Sequence, residues 1–461
     1  MKNTVTFLFV LLLFINTASA QLRSKQFTEK ADSLINIRLP DIAPGAVVLV
    51  ANKGKVLYKK AFGVVDIHTN AKMKTDHIFR IGSVGKQFTA VAILQLAEQE
   101  KLSLKDSIQQ FIPDFPSKGH RITIAHLLSQ TSGIRNYFEL ETDAGQEEIS
   151  SYSPKQVIDI FKTEPLQFVP GSAFQYSNSN YFLLGYIIEK VSGLSYKEYL
   201  IKNVVEKAGL KSTFYIDPAR NESRRATPYS RFDGKLEAAE LQSANLTYAA
   251  GALESTADDL LKWQRALQSG KLIKAETLRQ AISPYKLADG TNSEYGFGWF
   301  IRNIDGESTV EHSGSTDGYQ TDVLYMPDQD IYIVTLFNCY ESDMDWQVLT
   351  NDIAKLSIGK SIGSLVTLTP EQLKKYTGNY EVFAGTVSHQ MRITLEGSDL
   401  FVEALNPNDR LPKVQLYAEK ENKFYIKEAP LKFEFVRTEG SDTYTLVTYN
   451  NRGKDAEWKK L

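Results

Sequence analysis

The chain has 461 residues, with 53 Lys+Arg against 55 Asp+Glu and a formal charge of −2, so it carries no basic field for nucleic acid or an anionic membrane surface. A hydrophobic fraction of 42% with 23% charged residues excludes global disorder, and at about 100–200 residues per domain the length predicts two or three domains. The single cysteine, Cys339, excludes an internal disulfide framework and a cysteine-based zinc site, and the six histidines form no H-E-x-x-H pair. No metal or other cofactor is expected.

Residues 1–20 hold one lysine, an apolar run from Phe7 to Ile15 and the small residues Ala18-Ser19-Ala20. This is the pattern of a cleaved export signal and predicts a periplasmic or secreted protein; an N-terminal core helix is the alternative. The run is too short to span a bilayer, and no later stretch reaches 18 apolar residues.

A helix is expected over Phe27–Ile37, followed by a β-hairpin of Ala46–Val50 and Val56–Phe62 turned by Asn52-Lys53-Gly54. From Ser83 onward the apolar residues Phe88, Val91, Ile93, Leu94 and Leu96 face nearly every side, which predicts a helix buried mid-domain. Further helices are expected over Ser153–Phe161, Asn180–Ser192 and Leu253–Leu267, the last capped by Ser255/Thr256 with Trp263 inward. Strands are expected over Tyr295–Ile301, Thr309–His312, Gln320–Met326 and Ile331–Phe337. Helices in the centre with strands from both ends predict an α/β (α+β) domain, residues 21–355, with an antiparallel sheet flanked by helices and an all-helical region. A Gly/Ser-rich linker, 356–365, follows. Beyond it the periodicity changes to 2, as in Met391/Ile393/Leu395 and Leu431/Phe433/Phe435, predicting a small all-β, barrel-like domain over 366–461.

Three constellations bear chemistry. Ser83-Val-Gly-Lys86 is an S-x-x-K that opens the apolar helix, whereas Ser283-Pro-Tyr-Lys286 and Ser357-Ile-Gly-Lys360 do not. Residues i and i+3 share a helix face, and a lysine in apolar surroundings loses hydration and can accept a proton. A plain N-cap serine with a solvated lysine fits the same four residues equally well. Tyr176-Ser-Asn178 precedes the helix at Asn180 and places a phenol and an amide on a braced loop; a core aromatic with a capping Asn is the alternative. His312-Ser-Gly314-Ser315 ends a strand on which an extended substrate could dock, with the Ser315 N–H joining that of Ser83 in an oxyanion hole; a structural loop histidine is the alternative. Gly359-Lys-Ser361-Ile-Gly363 matches a G-x-S-x-G elbow formally, but in the linker rather than on a strand-to-helix turn.

The ordered set Ser83-x-x-Lys86, Tyr176-x-Asn178 and His312-x-Gly314 resembles the serine β-lactamase and penicillin-binding protein superfamily, on the class C side. The resemblance extends over about residues 23–362 and includes His126-Leu-Leu-Ser-Gln-Thr-Ser-Gly133 and Tyr295-Gly-Phe-Gly298. The terminal segment, opening on Tyr376-Thr-Gly378-Asn-Tyr380, resembles the lipocalin-like β domain often appended to these hydrolases. By this resemblance Ser83 is the acylated nucleophile, Lys86 and Tyr176 share proton transfer, and Asn178 binds the lysine and the substrate amide. His312, Gly314 and Ser315 line the substrate. The chain departs from class C enzymes in having no Lys-Thr-Gly or Lys-Ser-Gly. An imidazole anchors a carboxylate less firmly than an ammonium, so the resemblance points to secreted DD-peptidases, D-aminopeptidases and esterases rather than efficient β-lactamases. A D-amino-acid peptide or small ester is the expected substrate and partner, with a β-lactamase or a catalytically silent muropeptide-binding sensor as alternatives. The acidic stretch Glu139–Asp143 with Glu147-Glu148 either rims the cleft or forms a solvated loop.

Overall fold

The structure is a computed structural model that describes residues 25–36, 44–140, 149–232, 235–341, 346–360, 362, 368–384, 387–406, 411–426, 431–437, 443–450 and 453–461. The export-signal segment 1–20, residues 141–148 of the acidic stretch, and positions 361 and 363–365 of the expected linker lie outside them. The chain divides into two compact units, Met1–Tyr340 and Glu341–Leu461.

In the first unit, helix α1 (25–36) precedes strands β1 (Gly45–Asn52) and β2 (Lys55–Asp66). The turn between them is Lys53-Gly54, both with positive φ (49° and 73°), which matches the right-handed twist of a hairpin. With β3 (Ala71–Lys72), β4 (Phe300–Ile304), β5 (Glu307–Thr316), β6 (Tyr319–Met326) and β7 (Ile331–Phe337) they form a seven-stranded sheet in the order β3-β2-β1-β7-β6-β5-β4. The N-terminal β1 pairs antiparallel with the C-terminal β7, Val47 opposite Leu336, so chain ends close the sheet around a helical middle.

Helix α2 (Gly85–Glu98) is buried from Gly85 through Leu96, as its all-round apolar pattern requires. Helix α3 (Asn178–Ser192) ends on the left-handed Gly193 (φ 73°). Helix α4 (Ala244–Gly251) and helix α5 (Ala257–Gln268) follow. Trp263 of α5 stacks on Phe88 of α2 at 3.8 Å between ring centroids and donates Nε1–H to Gln87 Oε1 at 3.0 Å.

Several element boundaries differ from the sequence expectation, the helix expected from Asn180 starting at Asn178 and the strand expected over Thr309–His312 running from Glu307 to Thr316. Leu253–Ser255 is a strand paired with Phe79–Arg80 rather than the start of a helix. Thr256, extended at φ −114° and ψ 161°, caps α5 through the Asp259 N–H instead. The strand expected from Tyr295 begins at Phe300, because Gly298 takes φ +98° and Gly296 N–H closes a turn on Trp299 O at 2.8 Å.

In the second unit, a helix spans Trp346–Ser357, two residues into the expected linker. Thr369 and Gln372 form a capping box on Pro370–Lys374. Eight antiparallel strands, in chain order from Gly378–Ala384 to Gly453–Lys460, close into a barrel, with Tyr380 opposite Lys460 at the seam. Inward-facing Tyr380, Ile393, Val402, Phe424, Phe435 and Leu446 fill it. Among the described residues no helix is long and apolar enough to cross a membrane.

Candidate active site

Ser83 sits in a single 3-10 turn, Gly82–Val84, that runs directly into α2. Gly82 takes φ +48°, and a Cβ there would lie 3.0 Å from the backbone N of Ser315, so β5 passes close beside the serine. One turn deeper, Lys86 is fully buried. Its Nζ is 3.0 Å from Ser83 Oγ, 2.8 Å from Asn178 Oδ1 and 2.8 Å from the Ala250 carbonyl oxygen. Burial holds its pKa well below the ordinary lysine value.

The loop before α3 delivers Tyr176 and Asn178, and a second layer of polar groups fixes it. Gln130, in a left-handed conformation (φ 61°), accepts at Oε1 from Ser177 N–H (3.1 Å) and Asn180 Nδ2 (2.6 Å), and its carbonyl accepts from Gln175 N–H (3.1 Å). Asn136 Oδ1 accepts from Asn178 N–H at 3.2 Å. The Tyr176 ring lies under Lys86 Nζ, 4.8 Å from centroid to nitrogen. Its buried hydroxyl faces Ser83. Burial raises its pKa above the ordinary phenol value, with nearby Ser83 offsetting part of the rise. The phenol is therefore neutral, and Lys86 lies over the ring face rather than beside a phenolate.

The Ala250 carbonyl comes from an unexpected place. Tyr248 in α4 adopts φ 39°, ψ −127°, a backbone state that costs an L-residue about 1–3 kcal/mol. This kink turns two successive carbonyls inward: Ala249 O accepts from Thr89 Oγ1 (2.7 Å) and Ala250 O from Lys86.

Gly314 and Ser315 lie on β5 against the Ser83 turn. His312 is buried behind them. Its Nδ1 faces the Ser313 carbonyl (2.6 Å), which can only accept, so Nδ1 carries the proton and Nε2 accepts from the Tyr295 hydroxyl (2.9 Å). Phe300, Tyr295 and Tyr176 surround the ring at 5.2–6.0 Å. Burial, reinforced by Lys86, lowers its pKa to about 3. The imidazole is neutral and does not line the cleft. The cleft itself is about 270 Å³ and is walled by Ser83, Asn178, Ser315, Phe138, Thr247 and Asp317, among others.

Sequence reasoning brings Ser83, Lys86, Tyr176 and Asn178 to one place, and the structure assembles them there. It missed Gln130, Asn136, the Tyr248 kink and Asp317. Gln130 was within reach, since it sits in the His126–Gly133 stretch that carries part of the family pattern; the kink leaves no trace in residue type.

The family model described as Beta-lactamase matches residues 38–357. The chain belongs to the Beta-lactamase family. It is accordingly a serine hydrolase. This β-lactamase-family hydrolase is 28% identical over 439 residues to penicillin-binding protein 4* of Bacillus subtilis (strain 168), covering 89% of this chain and 93% of that one. It is similar in structure to the octameric penicillin-binding protein homologue from Pyrococcus abyssi, at TM-score 0.68 and 25% identity over 94% of this chain and 99% of that one. The D-amino acid amidase from Ochrobactrum anthropi SV3 is similar in fold, with TM-score 0.61 and 20% identity over 72% of this chain and 99% of that one.

Proposed function

We propose that this hydrolase cleaves an amide or ester of a D-amino acid, peptide or small ester, through an acyl-enzyme on Ser83. The observation that carries the reading is the coordination of Lys86. Asn178 Oδ1 and Ala250 O can only accept, so they engage two N–H groups of the amine. Burial favours the unprotonated amine, and in that form it has no third proton, so its lone pair is left for the Ser83 hydroxyl at 3.0 Å.

Ser83 Oγ attacks the substrate carbonyl carbon as its proton passes to Lys86 Nζ. The oxyanion is met by the N–H groups of Ser83 and Ser315, at the head of α2 where the helix dipole favours negative charge. Collapse breaks the bond to the leaving nitrogen or oxygen, which takes a proton from the Tyr176 hydroxyl. Lys86 returns its proton to Tyr176. Water then adds to the acyl carbon as it gives a proton to Lys86, and Lys86 passes that proton to the departing Ser83 Oγ, giving the free acid.

No lysine, arginine or histidine is among the described residues lining the cleft, which supports an amide or ester over a substrate anchored by a free carboxylate, as β-lactams are. The shared fold with a D-amino acid amidase supports the same direction. Export, through residues 1–20, belongs to this reading and gives the enzyme access to extracytoplasmic D-amino-acid compounds. A panel of D-amino acid p-nitroanilides, short-chain nitrophenyl esters and nitrocefin, run on wild type and Ser83→Ala, tests it. Turnover of the anilides or esters that vanishes in Ser83→Ala is expected. Nitrocefin as the best substrate, or turnover that survives in Ser83→Ala, overturns it.

A further inference from the structure

The two-residue turn Asp317-Gly318 joins β5 to β6, with Thr316 opposite Tyr319 and Gly318 at φ +80°. The turn is held rigidly: a Cβ on Gly318 would lie 2.3 Å from Pro228 Cβ. It hangs the half-buried Asp317 at the end of the strand that passes Ser83, and Asp317 is the only carboxylate among the described residues lining the cleft.

That carboxylate is unmatched. Arg80 is the cation whose field it feels, yet the two form no ion pair, and Arg80 Nη1 is committed to the Gln242 carbonyl at 2.6 Å. Burial raises the Asp317 pKa, and Arg80 only partly offsets this. Among the described residues this carboxylate in the cleft wall has no side-chain hydrogen bond and no ion pair, which suits it to a cationic ligand.

Spacing selects which cation. Asp317 follows Ser315 by two residues and begins the turn, so their Cα atoms are at most about 6.6 Å apart. A substrate carbonyl held beside Ser83 and Ser315 carries its α-amino nitrogen about 2.5 Å from the carbonyl carbon, and a charge-assisted hydrogen bond to a carboxylate adds about 2.8 Å. The two lengths together cover most of the distance.

We propose that Asp317 binds the free α-ammonium of the acyl part of the substrate, making the enzyme selective for amides and esters of unblocked amino acids. The proposal rests on the acyl-enzyme reading above and deepens it from an amide or ester to an aminopeptidase-type substrate. Asp-Gly is also an ordinary hairpin composition, and Asn-Gly serves the same turn. Asp317→Asn therefore removes the charge while keeping the turn.

The test compares kcat/KM of wild type and Asp317→Asn on D-alanine p-nitroanilide and N-acetyl-D-alanine p-nitroanilide, with active sites titrated by a fluorophosphonate so that only folded enzyme is counted. Loss of about 10- to 100-fold on the free amine, mainly in KM, with the acetylated substrate within about twofold, is the expected result. Equal losses on both substrates, no loss on either, or a wild type that prefers the acetylated one overturns the amine assignment while leaving the hydrolase reading intact. A wild type that reacts with neither the anilides nor the fluorophosphonate at Ser83 overturns the hydrolase reading, and the amine assignment with it.

Discussion

A Cβ placed on Gly314 would lie 2.0 Å from the carbonyl oxygen of Ile81 and 3.0 Å from the backbone N of Ser83. Strand β5 thus presses backbone to backbone on the turn that presents Ser83, and only a residue without a side chain permits it. The glycine sets how far the Ser83 and Ser315 N–H groups stand apart.

Gly314→Ala must push β5 away from that turn, because neither contact atom belongs to a flexible side chain. The strain expected from such overpacking is about 1–3 kcal/mol. The misplaced oxyanion donor is expected to lower kcat by about 10²-fold, the scale set by removing one donor elsewhere. Steady-state kinetics with a thermal melt checks this: a fall in kcat much larger than the melt predicts supports the geometry, and unchanged kcat contradicts it.

Lys86 bears on both rate and stability. Its folded pKa is depressed, so between that value and the ordinary lysine value the unfolded chain holds more protons than the folded one. Stability from this group therefore rises with pH in that window. Relative to Lys86→Met, the wild type is expected to gain stability as pH rises toward the ordinary lysine value, by at most about 1.4 kcal/mol per pH unit. Acylation by a fluorophosphonate is expected to fall at least about 10²-fold in the same variant. Denaturant melts across pH and stopped-time labelling read the two effects; a flat difference between the proteins, or undiminished labelling, contradicts the buried amine.

His312 gives the same sign at lower pH. Its pKa of about 3 lies below the ordinary 6.5, so stability is complete above about pH 6.5 and is lost as pH falls toward about 3. His312→Gln is expected to flatten the acid side of the stability curve in this window relative to wild type. Its activity should fall little on neutral substrates, since the imidazole stands behind the cleft. Parallel acid melts of the two proteins would show it, and superimposable pH slopes would contradict the buried neutral ring.

The cluster of Ser83, Lys86, Tyr176 and Asn178 was legible because it is written in local spacing: three residues apart at the head of α2 puts Lys86 under Ser83, and Asn178 starts the helix that Tyr176 precedes. The barrel was legible in its period-2 alternation. What was not legible is held by long-range backbone geometry. Tyr248 sits in an unremarkable helical stretch, and nothing local marks the kink at which it packs against Gly185, where a Cβ would meet its ring at 2.6 Å, and after which Ala250 meets Lys86. Asp317 reads as a turn residue because Asp-Gly is one. His312 reads as a strand-end side chain, and nothing local reveals that Tyr295 and Phe300 fold over it.

Gln130 tests the second layer. Removing its amide leaves the Ser177 N–H and Asn180 Nδ2 without their acceptor, a loss of about 1–3 kcal/mol for buried groups. Gln130→Ala is expected to lower stability by that amount and kcat by more than KM changes, because the loop carrying Tyr176 loosens. A wild-type kcat at reduced stability would show that the loop does not need this brace.

Peptide mapping by mass spectrometry, after wild type and Ser83→Ala are each incubated with a fluorophosphonate, addresses the central assignment most directly. The account predicts a single phosphonyl adduct on the peptide containing Ser83 in wild type, absent from the alanine variant. An adduct on another serine, or one that persists in Ser83→Ala, would contradict it.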